Sequence, residues 1–140
     1  MDAGDLPGQL YDAYNRHDAA AVARLYAPDG SHEDVAHGRP RLGPGAIADG
    51  LRRFFGWFPD ARWEPSLRIA DRRGAVAVTY LLTATLQQPM GPIAARGQPL
   101  SLRGVQVLHL RDGLISRSED YWDAATFHRQ INNADLEETT

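Results

Sequence analysis

The sequence predicts an α+β domain: a curved, mainly antiparallel sheet wrapped as a cone around a long helix, with an internal cavity. Three observations predict it. Helix-forming segments are gathered before Pro59 and period-two segments after it, the segregation typical of α+β folds. Two strand-like runs, Leu100 to Leu110 and Leu114 to Trp122, are joined by Arg111-Asp112-Gly113, a strong hairpin signal because Gly accepts positive φ without steric cost. The long runs are rich in Val, Thr, Tyr and Leu, and a strongly curved sheet wrapped on a long helix makes a cone whose interior is a pocket when the inward residues do not fill it.

The elements follow in order. Leu6 to Asn15 places Leu6, Leu10, Ala13 and Tyr14 at helical spacing, with Pro7 in the first turn. Asp18 is a good N-cap for a second helix, Ala19 to Tyr26, ended by Pro28-Asp29-Gly30. Ser31 to Asp34 reads as a short strand and the residues to Arg41 as a loop. Gly43-Pro44-Gly45 opens the long helix, Ala46 to Phe58, with Ile47, Leu51, Phe54, Phe55 and Phe58 on one face and Arg52 and Arg53 on the other. Arg62 to Ile69 is a strand that Pro65 confines to an edge or bulge. Ala75 to Leu86 is a long strand, Gln87 to Gly97 a loop or lid, and the hairpin follows. Asp123 to Ile131 forms a helical turn, and the last nine residues look frayed.

The 140 residues fit a single domain with an ordered core from about residue 5 to 131. No apolar run approaches the ~20 residues that span a bilayer, and the acidic start has no secretory h-region, so a cytoplasmic protein without a membrane partner is expected. Net charge is −3 and no basic patch is interleaved with aromatics, which argues against nucleic acid. Cys is absent, excluding thiolate catalysis and disulfides. Lys is absent too, since all 15 basic residues are Arg, so Schiff-base chemistry is excluded. Proton transfer is left to Asp, Glu, His and Tyr.

The second arm of the hairpin ends in Glu119, Asp120 and Asp123 among Tyr121 and Trp122. Strand alternation turns Asp120 to one face and Glu119 to the other, while Asp123 caps the next turn. Burial among aromatics raises an Asp above its usual ~3.9 and makes it a better base near neutral pH. On the first arm, alternation puts Gln106, Leu108 and Leu110 on the cavity face and Val105, Val107 and His109 on the other, and a one-residue bulge would exchange them. Tyr14, Phe54, Trp63 and Trp122 are core aromatics that also offer a wall for a flat ligand. Arg103 can orient a ligand carbonyl or carboxylate, or lie at the surface. His32-Glu33-Asp34…His37 matches no helix-borne metal motif, so no metal is expected. Apolar Val105 and Val107 on the outer face suggest a homodimer or homotetramer.

Four segments together resemble the SnoaL-like polyketide cyclases of the nuclear transport factor 2-like superfamily: YDAYNRHDAAAVARLYAPDG, HGRPRLGPGAI, RDGLI and EDYWDAATFHRQI. The resemblance runs over roughly residues 10 to 131. It implies a cofactor-independent enzyme that closes a ring of an aromatic, anthracycline-type polyketide by intramolecular aldol condensation, as in antibiotic biosynthesis. It places the acid/base at Asp120, before the aromatic-X-Asp ending Tyr121-Trp122-Asp123. The family's His on the preceding strand is replaced by Gln106, which can hold a carbonyl but cannot exchange a proton. His32, from a segment with which the family lines its pocket, is the third expected site residue. The fold also hosts hydroxylase-type proteins, isomerases, hydrolases and non-catalytic binding domains, which stand as alternatives. An Asp-Arg-Asp hydrolase arrangement would need Arg103 or Arg117 to reach Asp120, and no second acid is evident.

Overall fold

The computed structural model describes residues 5–132, so the expectation of a frayed end falls, from 133 on, outside the described residues. Four helices pack on a six-stranded curved open sheet. Helix α1 (Leu6–Asn15) begins with Asp5, whose carboxylate accepts from Gly8 N at 3.1 Å. Helix α2 (Ala19–Ala23) is capped by Asp18, which accepts from Ala21 N at 2.9 Å. It stops before the predicted Tyr26, because Tyr26 is drawn into strand β1 (Tyr26–Asp34) opposite Ile115. The expected loop after β1 contains a further short strand, β2 (Arg39–Leu42), paired antiparallel with β1. Long-range sheet pairing overrides local propensity in both places.

Helix α3 (Pro44–Trp57) is entered through Gly43 at φ 89°, in the left-handed region that suits glycine. It is followed by β3 (Arg62–Ala70), β4 (Ala75–Thr85), β5 (Pro99–Arg111), β6 (Leu114–Trp122) and α4 (Ala124–Asn132). The sheet order is β2-β1-β6-β5-β4-β3, with β3 at an edge and a register shift between Pro65 and Arg68, as the proline requires. Asp112 and Gly113 at the β5–β6 turn both have positive φ, 54° and 79°, the geometry of a primed hairpin turn.

The sheet is mixed: β1 runs parallel to β6, and the other pairings are antiparallel. The parallel pairing sets Asp34 beside Asp120 and His32 beside Ser118. On the other side of β6, Gln106 of β5 lies opposite Asp120. Successive inward side chains of β5 run from Leu100 and Leu102, which face open space, to Gln106 and Leu108, which are buried in the closed end. Alternation along β4 and β5 thus grades from cavity to core. Among the described residues no helix is long and apolar enough to cross a membrane.

Candidate active site

The concave face of the sheet, α3 and α4 enclose a cavity of about 290 Å³. Helix α3 supplies one wall through Ile47, Leu51 and Phe54 of its apolar stripe, continued by its C-cap Phe58. Trp63 and Phe54 lie with ring centroids 5.7 Å apart, and Tyr14 stacks on Trp63 at 4.9 Å. All three tryptophans of the chain, Trp57, Trp63 and Trp122, line the cavity.

The polar floor is made by β1 and β6. His32 Nδ1 lies 2.7 Å from Ser118 Oγ, which is 2.6 Å from the hydroxyl of Tyr26. The other imidazole nitrogen lies 3.4 Å from Asp34 Oδ1. Asp34 also accepts from Arg41 at 3.2 Å and from the Trp122 indole at 3.3 Å. Asp120 accepts a 2.6 Å hydrogen bond from the Tyr80 hydroxyl.

The two neighbouring carboxyl groups are driven apart electrostatically. Burial alone would raise Asp34, but its bond and attraction to His32, the Trp122 indole and Arg41 hold it well below the usual carboxylate range. Among the described residues no cation is bonded to Asp120. Burial, and then the charge of Asp34, push it up to about 7, against the opposing pull of His32 and the Tyr80 bond. Burial and the charge of Asp120 push the Tyr80 phenol well above its ordinary value, so it stays a donor. Paired acids with separated ionisation are a hallmark of assigned acid and base roles.

Donor atoms of His32, Asp34 and Asp120 all lie within 4.8 Å of one another, so this is also where a divalent cation would find ligands among the described residues. An incoming cation would have to share oxygens that already accept from Tyr80, Trp122 and Arg41.

Of the residues singled out from the sequence, Asp120, His32, Tyr14, Phe54, Trp63 and Trp122 come together on the wall. Three do not. Gln106 points inward, but its amide oxygen accepts from Tyr11 at 2.8 Å and its amide nitrogen donates to Tyr14 at 3.0 Å. It is 1% exposed beneath the cavity, so its carbonyl-holding role is corrected to one of bracing two tyrosines. Leu108 is fully buried in the closed end of the sheet. Arg103 is exposed on the outer face, in a shallow groove beside Tyr121. His109 also faces outward, with Nε2 3.0 Å from Glu119 Oε1. Asp123 caps α4, accepting from Thr126 N and Oγ1.

Sequence reasoning missed Arg41 and Tyr80, and it weighed Asp34 only as part of a metal-like cluster. Tyr80 was on a recognised strand, and the even parity it shares with Leu82 and Val78 would have turned it inward. Asp34 is the second acid thought to be missing, brought to Asp120 by a strand pairing that has no local signature.

The profile of the SnoaL-like domain family matches residues 8–118. No curated protein matches the chain in sequence. Solved structures are similar to it in fold. A candidate polyketide cyclase from Xanthomonas campestris pv. campestris is 26% identical, with a TM-score of 0.82 over 93% of this chain and 96% of its own. IdmH, a candidate polyketide cyclase from Streptomyces antibioticus, is 20% identical, with a TM-score of 0.78 over 94% of this chain and 99% of its own. AclR, a candidate hydroxylase from Streptomyces galilaeus, is 20% identical, with a TM-score of 0.80 over 94% and 96%. The last two are likenesses of fold.

Proposed function

The chain belongs to the SnoaL-like domain family, and from that premise we propose that it is a cofactor-independent polyketide cyclase, closing a ring of an aromatic, anthracycline-type intermediate by intramolecular aldol condensation. The observation that carries the reading is Asp120: a carboxyl group raised to about 7 on the wall of an apolar cavity, bonded by a phenol and, among the described residues, by no cation. As carboxylate, it takes the acidic proton from a carbon flanked by carbonyls. The enolate carbon attacks a ketone of the same molecule, a C–C bond forms, and the new alkoxide recovers the proton from Asp120. A substrate carbonyl oxygen on this wall would share the donors of His32 and Arg41, which already engage Ser118 and Asp34. The aromatic walls fold the substrate into a reactive conformer and exclude water. A non-catalytic binding domain would place Asp120 in a salt bridge or fill the cavity with side chains, and neither is found among the described residues.

Asp120→Asn is expected to abolish ring closure of an aromatic diketo precursor, a loss of at least ~100-fold for removal of a general base, with fold and ligand binding retained. Unchanged turnover sinks the mechanism.

One observation favours a second reading. Asp34 with Arg41, beside Asp120, supplies the two acids and the arginine of a hydrolase arrangement. Hydrolytic opening of a strained C–O ring would incorporate one oxygen from labelled water, whereas aldol closure incorporates none, so mass spectrometry of the product separates the two.

A further inference from the structure

The tandem arginines on α3 read alike in sequence but have different fates. Arg52 points outward and pairs with Asp49 at 3.1 Å. Arg53 lines the cavity, is exposed, and has no ion pair or side-chain hydrogen bond among the described residues. Two other exposed residues share the cavity lining, His37 after β1 and His128 on α4. Exposed residues that line a cavity lie at its mouth. This mouth therefore carries one uncompensated guanidinium and two imidazoles, with no carboxylate among them. The acids Asp34 and Asp120 lie deeper, where Arg41 is already committed to Asp34.

The charge layout orients a ligand. A second anion is disfavoured at a floor that holds Asp34 and Asp120, and is attracted at a rim that holds Arg53. Size narrows the ligand further. At interior packing density, the roughly 290 Å³ cavity encloses about fifteen non-hydrogen atoms, the bulk of two or three fused rings.

Resting on the cyclase reading, we propose that the substrate is a free aromatic carboxylic acid rather than its ester. Its rings stack on the Phe54 and Trp63 wall, its C–H acidic end faces Asp120, and its carboxylate is held at the mouth by Arg53. Recognition by Arg53 gives the selectivity, because an exposed guanidinium meets a carboxylate through charge-assisted hydrogen bonds that an ester cannot return.

The test is binding, read by quenching of the three cavity tryptophans. 1-Hydroxy-2-naphthoate and its methyl ester are titrated into the native chain, Arg53→Gln and Asp120→Asn. The native chain is expected to bind the acid about five- to tenfold more tightly than the ester, with the gap narrowing as salt rises. Arg53→Gln should remove most of the preference while leaving ester affinity unchanged. Equal affinities, a preference for the ester, a preference that survives Arg53→Gln, or no binding of either probe would each overturn the proposal. Asp120→Asn keeps the two readings separate. Lost turnover with the acid preference intact supports both, while acid preference without cyclase turnover in the native chain defeats only the cyclase.

Discussion

Replacing Asp120 by Asn should make the protein more stable, and by an amount that grows with pH. The folded chain holds this carboxyl at about 7 against an ordinary 3.8. The sign follows from proton counting. Between these values the folded state keeps a proton that the unfolded state has lost, so the stability from Asp120 is complete below about 4 and disappears as pH rises through 7. Three pH units at ~1.4 kcal/mol each set an upper bound of ~4 kcal/mol. Asn keeps the neutral shape and can still accept from Tyr80, but its amide lacks the fit of a protonated carboxyl, so about 1–3 kcal/mol is expected at pH 8. That corresponds to a rise in melting temperature of roughly 3–10 °C for a domain of this size. Urea denaturation of both proteins from pH 4 to 9 is the assay. The two stability curves should nearly coincide at pH 4, separate between 5 and 7, and run parallel above 8. A difference that is flat across this range refutes the electrostatic account of Asp120, whatever its effect on turnover.

Two substitutions should move the pH–rate profile in opposite directions. Native kcat/KM should rise with an inflection near 7 as Asp120 ionises. Tyr80→Phe deletes the bond that favours the carboxylate and should raise the inflection by up to about 1 unit, while Asp34→Asn removes the like charge and should lower it. Shifts in the same direction would contradict this arrangement. Gly104→Ala should disturb both stability and this profile, because a Cβ there would run into the Tyr80 ring that lies across it. A loss of about 1–3 kcal/mol is expected by denaturation, and a native-like Gly104→Ala would show that Tyr80 is free to move. On the outer face Leu67, Ile69 and Tyr121 are 53%, 59% and 44% exposed. A homo-oligomer formed through them should dissociate on Ile69→Asp, as sedimentation would report, and a native monomer rules it out.

What could be read from the sequence was whatever is written locally. The Asp112-Gly113 turn, the Pro65 edge strand and the apolar stripe of α3 each carry their own signal, and the structure has all three. Parity along the hairpin turned Asp120 inward and Glu119 outward. The same rule, applied to Arg103, would have put it outside with Val105 and Val107, where it lies. Gln106 shows the limit. Its direction was legible, but its partners Tyr11 and Tyr14 come from a helix more than 90 residues earlier, and only packing reveals that its amide is committed. Asp34 was hidden for a related reason. Parallel pairing of β1 with β6 has no turn between the strands, and with it no sequence punctuation to announce the neighbour.

That parallel ladder has a consequence for the order in which the protein comes into being. Ser118 lies 86 residues downstream of the His32 it meets, and Asp120 the same distance beyond Asp34. The first half of the chemistry leaves the ribosome with β1, and the second half only with the last strand of the sheet. Until β6 inserts between β1 and β5, the nascent chain has two unpaired edges, on β1 and β5, beyond those of the finished sheet, no acid pair and only part of a cavity. A chain cut short before Ser118 therefore lacks Asp120 and leaves the edges of β1 and β5 open, so the site is completed in a single step with the closing strand.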